Sequence, residues 1–254
     1  QAGSLAGKTY VTASAGNHGL SVAAGAKAFG ARAVIYLAET VPEGFAQRLR
    51  AQGAEVARAG QTYEASMNAA AMAAENRGWI LLSDSSWPGY FDIPHRLMEG
   101  YLASAAEAVE QVPEVPTHIF LQAGVGGLAG ACAAYFRLAW GDAPQIAVVE
   151  PEFAPALRDS IVAGRAVAAV GPVSNMGRLD CKEPSLIALK GLARDADTFV
   201  TLSDEDAAGG MAKLANAGVA TTPSGGAGLV ALMEMAPLGP DARVLCIVSE
   251  EPEA

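Results

Sequence analysis

Short apolar runs alternate along the chain with longer, alanine-rich stretches of helical periodicity. The first runs are Thr9–Thr12, Ala33–Leu37 and Glu55–Ala59, and helical patterns fill the intervals between them. Largely apolar runs of this length are typical of parallel strands whose two faces are both covered by helices. The alternation therefore predicts βαβ units and an α/β fold with mostly parallel sheets.

The same alternation continues toward the C-terminus, after an interruption by Pro113 and Pro116. The further predicted strands are Trp79–Leu82, His118–Gln122, Gln145–Val149, Phe199–Leu202 and Arg243–Val248. The further predicted helices are Thr62–Arg77, Arg96–Val112, Leu128–Trp140, Asp204–Leu214 and Ala227–Ala236. Between them, Ala166–Glu183 is rich in Gly, Pro, Ser and Asn, which predicts a long irregular segment of the kind that often carries a functional site.

Composition narrows the class of protein. With 254 residues, of which 51% are hydrophobic, the chain can bury a large core, and its net charge of -10 would repel nucleic acid and anionic lipid. Its apolar runs are far shorter than the roughly 20 residues that span a bilayer, and no signal peptide is visible. Cys132, Cys181 and Cys246 match neither a disulfide framework nor a zinc spacing, and the three histidines are scattered. We therefore expect a cytoplasmic protein without nucleic-acid, membrane or metal partners.

A first candidate site is the segment Ser14-Ala15-Gly16-Asn17-His18-Gly19, which follows a predicted strand and opens a helix. Unpaired backbone N–H groups and the helix dipole favour an anion at such a position, so a carboxylate or phosphate would bind well there. The alternative is an ordinary helix cap with a tight turn, since Ser and Asn cap helices and Gly permits positive φ. Local chemistry leaves both interpretations open.

A second glycine-rich segment, Gln122–Gly130, also lies between an apolar strand and a helix. Its glycines would let the backbone wrap closely around a phosphate. A different interpretation is a dinucleotide site, because Gly124, Gly126 and Ala129 satisfy the fingerprint G-x-G-x-x-G/A, and Glu150 stands where a ribose-binding acid would. The segment therefore indicates a phosphate-bearing ligand without saying which one.

Two more features fall at the carboxyl edge of the predicted sheet. Pro223–Gly228 is a third glycine-rich segment before a helix, and the last predicted strand delivers Ser249 to that edge. Ligands of open α/β sheets bind there. Taken alone, Pro223–Gly228 is better explained as a helix-opening turn, and Ser249 as an ordinary strand end.

These motifs occur together in one known family. The sequence contains, in order, SAGNHG from Ser14, SDSSWPGY from Ser83, IP from Ile93, MEGY from Met98, LQAGVGGLAG from Leu121, VEP from Val149, CKEP from Cys181 and PSGGAG from Pro223. In this order and approximate spacing they resemble the diaminopropionate ammonia-lyases, within the tryptophan-synthase-β-like, fold-type-II family of pyridoxal-phosphate (PLP) enzymes. SAGNH-type loops also occur in threonine and serine dehydratases, whereas the SDSSWPGY block and QAGVG are more specific.

The resemblance implies a two-domain α/β architecture with open twisted, mostly parallel sheets. A smaller domain over residues 10–89 would carry the first loop, and a larger domain over residues 90–254 would bind the phosphate of the cofactor, PLP. The implied reaction is β-elimination on a small amino acid, with 2,3-diaminopropionate as substrate and pyruvate and ammonia as products. A homodimer is expected.

The resemblance also assigns roles to individual residues. The substrate carboxylate would be bound by the Asn loop, which consists of Ser14, Ala15, Gly16, Asn17 and His18, and Asn17 would also lie near the 3′-oxygen of PLP. The phosphate would be held by backbone N–H groups of the glycine loop, which consists of Gly124, Val125, Gly126, Gly127 and Leu128. Ser249 would hydrogen-bond the pyridine nitrogen. Asp84 is the candidate catalytic side chain that binds the second ammonium group of the substrate, although a solvated loop aspartate would also fit the sequence.

The sequence departs from the lyases at two points. Lyases that accept both enantiomers carry an aspartate immediately before the Gly-Asn of the first loop; Ala15 stands there, which leaves the D-isomer without a base from this loop. In the lyases, the lysine that carries PLP as a Schiff base lies farther upstream of the Asn loop than Gln1 does in this sequence. The five lysines present do not occupy that position: Lys8, Lys27, Lys182, Lys190 and Lys213. We therefore expect that an N-terminal segment is missing and that the chain by itself does not catalyse the reaction.

Three alternatives remain. An L-threonine or L-serine dehydratase-like enzyme would share the Asn loop. A dinucleotide-binding oxidoreductase would use Gly124, Gly126, Ala129 and Glu150, but it leaves SAGNHG and PSGGAG unexplained. A non-catalytic protein with the PLP-enzyme fold would bind an amino acid or a partner.

Overall fold

The computed structural model describes residues 2–235 and 237–252. The chain divides into two compact units, Gln1–Ser83 and Asp84–Ala254. Each unit contains its own four-stranded sheet. Among the described residues, no helix combines the length and the apolar character that a membrane span requires. As functional domains, residues 10–89 and 90–254 stay a prediction.

The first unit is a parallel sheet whose strands are connected by helices. Its elements are β1 (Thr9–Ala13), α1 (Asn17–Phe29), β2 (Arg32–Leu37), α2 (Glu43–Ala51), β3 (Glu55–Arg58), α3 (Tyr63–Arg77) and β4 (Ile80–Leu81). The strands lie in the order β3-β2-β1-β4, and all these pairings are parallel. On β2, Val34 packs into one apolar cluster and Ile35 into another. Because neighbouring strand residues point to opposite faces, the two clusters cover the two faces of the sheet.

The second unit repeats this plan with more helices. Its elements are α4 (Asp92–Gln111), β5 (His118–Gln122), α5 (Gly127–Trp140), β6 (Gln145–Pro151), α6 (Ala156–Ala163), α7 (Leu186–Asp195), β7 (Thr198–Leu202), α8 (Asp204–Asn216), α9 (Ala227–Glu234) and β8 (Val244–Cys246). The strands lie in the order β7-β6-β5-β8, again with parallel pairings. Phe120 and Leu121 of β5 belong to different apolar clusters, so both faces of this sheet are buried as well. The predicted α/β fold with parallel sheets is confirmed.

The structure differs from the sequence prediction mainly at α6 and α7, which were not predicted. Helix α4 begins at Asp92 rather than Arg96, because Pro94 lies in the first turn, where a missing backbone N–H removes no helical hydrogen bond. The predicted helix Ala227–Ala236 ends as α9 at Glu234, and Ala236 lies outside the described residues.

The irregular segment Ala166–Glu183 was predicted correctly, since its residues form neither helix nor strand. Polar contacts hold it in place. Lys182 Nζ donates to the carbonyl oxygens of Phe153 at 2.8 Å and Pro172 at 2.9 Å, and it pairs with Asp180 Oδ1 at 2.5 Å. The Lys182 ammonium is therefore fully engaged within the second unit.

Candidate active-site residues

The Asn loop connects β1 to the first turn of α1. The buried Ser14 hydroxyl accepts hydrogen bonds from the backbone N–H groups of Gly19 at 2.9 Å and Gly16 at 3.3 Å. A side chain at Gly19 would approach the Ser14 carbonyl oxygen to 2.8 Å, which requires glycine there. Ser14, which precedes the helix, therefore satisfies a backbone N–H of the first turn of α1, in agreement with the helix-cap interpretation, and Ala15 and Asn17 lie exposed. Ligand binding by this loop stays a prediction.

The side chain of His18 is held by the protein itself. Its Nε2 lies 2.8 Å from the carbonyl oxygen of Leu82 and 3.3 Å from Thr12 Oγ1. Because a carbonyl oxygen only accepts, Nε2 carries a proton and donates it to Leu82. This bond ties the first turn of α1 to the residue that follows β4. The imidazole thus positions the Asn loop, and the contact of His18 with a ligand stays a prediction.

The glycine loop connects β5 to α5 in the second unit, and two of its glycines accept no side chain. Gly126 has a φ of 98°, in the left-handed region, and a Cβ there would lie 3.1 Å from carbons of both Leu157 and Ala188. A Cβ at Gly124 would lie 3.0 Å from Cys181 Sγ. These close approaches explain both glycines by packing, and the left-handed φ is a second reason at Gly126.

The last three backbone N–H groups of the glycine loop have no protein acceptor among the described residues, whereas the Val125 N–H bonds to the Cys181 sulfur. The first hydrogen bond of α5 runs from the N–H of Gly130 to the carbonyl oxygen of Gly126, at 2.8 Å. Among the described residues, the N–H groups of Gly126, Gly127 and Leu128 make no hydrogen bond to protein. With the helix dipole behind them, these donors form an anion-binding position.

Asp84 lies beside this loop. A Cβ at Gly127 would be 4.0 Å from the carbonyl oxygen of Asp84 and 3.8 Å from Tyr101 Cε2. Burial raises the pKa of the Tyr101 phenol to about 12, and the negative charge of Asp84 acts in the same direction. Burial likewise raises the pKa of the Cys181 thiol to about 12, again with a contribution from Asp84. The structure thus brings together Asp84, Tyr101, Cys181 and the glycine loop.

Ser249 follows β8 and is exposed, but its hydroxyl has a fixed neighbour. Gln122 Nε2, at the end of β5, lies 3.1 Å from Ser249 Oγ. The same amide nitrogen donates to the carbonyl oxygens of Ile247 at 2.8 Å and Gly225 at 3.1 Å. Ser249 is therefore connected, through one side chain, to the strand that leads into the glycine loop.

The glycines of Pro223–Gly228 are explained by packing at the same sheet edge. A Cβ at Gly225 would lie 2.5 Å from Thr221 Oγ1, and one at Gly228 would lie 3.1 Å from Gln122 Oε1. Thr222 Oγ1 accepts from the N–H of Gly225 at 3.0 Å and donates to the Glu250 carboxylate. This segment therefore lies against Glu250, the residue that follows Ser249.

Glu150 has a structural task that contradicts the dinucleotide interpretation. Its fully buried carboxylate accepts hydrogen bonds from the backbone N–H groups of Leu157 at 2.7 Å and Arg158 at 2.8 Å, which caps α6. Burial raises its pKa to about 7, against the lowering effect of these two bonds. Both carboxylate oxygens are thus engaged, and Glu150 is not available to bind a ribose.

Sequence analysis missed the roles of four residues around the glycine loop. Tyr101, Ser86 and Gln122 lie in the quoted motifs, so their positions were visible but their contacts were not. Ser185 follows CKEP, and its N–H donates to the carbonyl oxygen of Val125 at 3.0 Å. Within residues 2–235 and 237–252, no group of three His, Cys, Asp or Glu side chains is placed to hold a metal ion.

Comparison with known proteins agrees with this arrangement. Residues 1–250 match the family model described as pyridoxal-phosphate dependent enzyme. The chain belongs to this family. Diaminopropionate ammonia-lyase from Salmonella typhimurium is 37% identical over 210 residues, which cover 80% of this chain and 52% of that protein. Human L-serine dehydratase/L-threonine deaminase is 30% identical over 226 residues, covering 88% of this chain and 66% of that protein.

Comparison with a solved structure shows that this chain also has the fold of the family. Diaminopropionate ammonia-lyase from Escherichia coli, crystallised with a PLP-containing reaction intermediate, superposes with a TM-score of 0.88 at 32% sequence identity. The match covers 96% of this chain and 68% of that one. The predicted fold-type-II architecture is confirmed. The chain spans about half the length of the Salmonella relative.

The glycine loop fits the phosphate of PLP. Gly124 and Gly126 leave no room for side chains, and the N–H groups of Gly126, Gly127 and Leu128 have no protein acceptor among the described residues. A dianionic phosphate satisfies several such donors at once and is stabilised by the helix dipole. The cofactor that the family implies therefore has a matching donor set in this chain.

Proposed function

We propose that this protein is a PLP-dependent ammonia-lyase that catalyses β-elimination on a small amino acid, with 2,3-diaminopropionate as substrate and pyruvate and ammonia as products. The observation that carries the proposal is the position of Asp84, whose backbone lies beside the glycine loop and whose negative charge acts on Tyr101 and Cys181 there. A carboxylate beside the cofactor loop suits a substrate with a second ammonium group, because the charge-assisted hydrogen bond is stronger than one to a hydroxyl.

The proposal gives each cluster of residues a task. Backbone N–H groups of Gly126, Gly127 and Leu128 hold the phosphate, and Ser249 donates to the pyridine nitrogen. When bound, PLP supplies an electron sink that stabilises the carbanion. The Asn loop, in which Asn17 is the first residue of α1, binds the substrate carboxylate. Asp84 binds the β-ammonium group and orients it for departure.

The experiment compares substrates in the full natural protein. Asp84→Asn should reduce kcat/KM for diaminopropionate by at least about tenfold more than kcat/KM for serine or threonine, since the charge-assisted bond is worth roughly 1.5–3 kcal/mol. Asp142→Asn is the matched control, because Asp142 is an exposed turn residue of the same unit. Equal losses on all three substrates would show that Asp84 does not select the diamino acid.

A second candidate is an L-threonine or L-serine dehydratase. Ala15 favours it, because lyases that act on both enantiomers carry an aspartate at this position. The similarity to human L-serine dehydratase/L-threonine deaminase also favours it. A wild-type kcat/KM that is higher for threonine or serine than for diaminopropionate would decide for this candidate. Activity on D-diaminopropionate would contradict the role given to Ala15.

The proposal includes a cytoplasmic homodimer. Cys132, Cys181 and Cys246 are free, and burial raises the pKa of each thiol to about 12, which suits a reducing compartment. Strongly exposed apolar side chains, Leu138 and Val162 among them, give the chain surface that association would cover. Sedimentation equilibrium of the full natural protein tests the dimer, and a monomer at micromolar concentration would contradict it.

A further inference from the structure

We propose that Gln122 is a positioning residue for Ser249: its side-chain amide fixes the Ser249 hydroxyl as a hydrogen-bond donor toward the ring nitrogen of PLP. This inference rests on the proposed function, because it concerns how the same site holds its cofactor. It adds a residue whose side chain acts through Ser249 rather than on the cofactor itself.

The orientation of the Gln122 amide is determined by its surroundings. The side chain is buried, with 4% of the residue exposed, at the carboxyl end of β5. Its Nε2 faces the carbonyl oxygens of Ile247 and Gly225 at 2.8 Å and 3.1 Å. Backbone carbonyl oxygens only accept hydrogen bonds, so the group facing them must be the NH₂.

This orientation has a cost at the opposite end of the amide. Gln122 Oε1 is buried and has no hydrogen-bond partner among the described residues. An unsatisfied buried acceptor costs free energy, yet a flipped amide would be worse, because Oε1 would then face two carbonyl oxygens. The absence of a side chain at Gly228 leaves the space that Oε1 occupies, since a Cβ there would lie 3.1 Å away.

The fixed amide determines what Ser249 can do with its hydroxyl proton. Gln122 Nε2 lies 3.1 Å from Ser249 Oγ and, as an amide nitrogen, cannot accept a hydrogen bond. The Ser249 proton is therefore directed elsewhere, and within residues 2–235 and 237–252 Ser249 Oγ has no other hydrogen-bond partner. The amide shares its two hydrogens among three acceptors, the carbonyl oxygens of Ile247 and Gly225 and Ser249 Oγ. A hydroxyl oxygen that accepts such a shared hydrogen bond is polarised into a better donor for the next.

Parallel pairing of β5 and β8 brings the two residues together. The register places Phe120 opposite Cys246, so the ends of the two strands run on side by side toward Gln122 and Ser249. The N–H of Ser249 also approaches the carbonyl oxygen of Gly225, at 3.4 Å, which holds the backbone near the amide. An unprotonated pyridine nitrogen, with a lone pair and no proton, is the acceptor that this donor matches.

The test uses two ligands that differ only at the ring nitrogen. The first is 4′-deoxypyridoxine 5′-phosphate, which has no aldehyde and so binds without a lysine, and the second has C–H in place of the ring nitrogen. Dissociation constants for both are measured by calorimetry with the wild-type protein and with Gln122→Met, Ser249→Ala and the double variant. Because the two ligands share the phosphate, their ratio within one variant reports the contact at the nitrogen alone.

The wild-type protein should prefer the pyridine ligand by about threefold to tenfold, which is the range for one net hydrogen bond. Ser249→Ala should abolish the preference, Gln122→Met should remove most of it, and the double variant should show no further loss. The ¹⁵N chemical shift of a labelled ring nitrogen should move toward its value without a hydrogen bond in both single variants. If Gln122→Met does not fold, Gln122→Asn serves, because the shorter side chain withdraws the NH₂ from Ser249.

Two outcomes would overturn the inference, and they are distinguishable. A preference that is retained in the folded Gln122 variant and lost in Ser249→Ala would show that Ser249 needs no positioning by Gln122, and the proposed function would stand. If the wild-type protein binds neither ligand, the cofactor assignment of the glycine loop fails as well.

Discussion

The hydroxyl groups of Ser86 and Ser185, 99 residues apart in sequence, lie 2.8 Å from each other in the core of the second unit. Ser86 Oγ also accepts from the N–H of Ile187 at 2.9 Å, and the Ser86 carbonyl oxygen accepts from Leu186 at 3.1 Å. Ser86 is thus the cap of α7, although it does not belong to that helix. Because Ser185 also donates to Val125, the pair connects the Asp84 segment to the glycine loop.

Removing the Ser86 hydroxyl should destabilise the protein measurably. Ser86→Ala leaves the N–H of Ile187 and the hydroxyl of Ser185 without this partner, and we expect a loss of about 2 kcal/mol in the free energy of unfolding. Urea denaturation measures it. Ser104→Ala is the control, since Ser104 is exposed on α4, and its effect should stay within about 0.5 kcal/mol. Equal effects of the two substitutions would contradict the capping role.

The two helices that sequence analysis missed have the same physical explanation. Helix α6 is capped by the Glu150 carboxylate and α7 by Ser86, so the groups that satisfy their first N–H donors come from distant segments. The residues just before α6 therefore give little sign that a helix begins there. Before α7, Ser185 has the side chain of a helix cap, but its hydroxyl accepts from the Ser86 N–H rather than from its own helix.

The glycine and Asn loops, in contrast, could be predicted because their chemistry is local. Each lies between a strand and a helix; glycine at Gly19 is required by contact with Ser14, and at Gly126 by the left-handed φ of the turn, whereas the packing of Gly126 against Leu157 and Ala188 comes from distant residues. The tasks of Gln122 and His18 could not be predicted. They depend on parallel pairings that bring Ile247 and Leu82 to these side chains from distant parts of the chain.

Gly126→Val should weaken the binding of phosphate and of PLP by at least about tenfold, because the left-handed φ of 98° disfavours a β-branched residue and the new methyl groups meet Leu157 and Ala188. Isothermal titration with inorganic phosphate and with PLP measures the change. Gly44→Val is the control, since a Cβ at Gly44 meets no atom within 4 Å. Unchanged affinity in the folded Gly126 variant would exclude this loop as the phosphate site.

Glu150 should make the stability of the protein depend on pH between its ordinary pKa and its pKa in the fold. The carboxyl pKa rises from 4.5 to about 7 on folding because burial disfavours the charged form. The buried, protonated Glu150 carboxyl therefore makes its full contribution to stability below its pKa in the unfolded chain, and this contribution is lost as the pH rises through 7. This group should lower the free energy of unfolding by up to about 3 kcal/mol between pH 4.5 and 8.

Urea denaturation at pH 5 and pH 8 tests this dependence. Glu150→Gln removes the titrating group, so the stability difference between the two pH values should shrink by most of that amount. Glu152→Gln is the matched control, because Glu152 is exposed near the same strand end, and it should keep the wild-type difference. A Glu150→Gln variant with the wild-type pH dependence would show that Glu150 does not carry it.

Lys182 should not become attached to PLP, although it stands next to Cys181, whose sulfur packs against the Gly124 position of the cofactor loop. Formation of a bond to the aldehyde requires a free, unprotonated amine, whereas Lys182 Nζ donates to two carbonyl oxygens and pairs with Asp180. Incubation with PLP, reduction with borohydride and peptide mass spectrometry should therefore find the Lys182 peptide unmodified. Asp180→Asn weakens the restraint, and labelling of Lys182 should increase in that variant. Stoichiometric labelling of Lys182 in the wild-type protein would mean that its ammonium is not held as the structure shows.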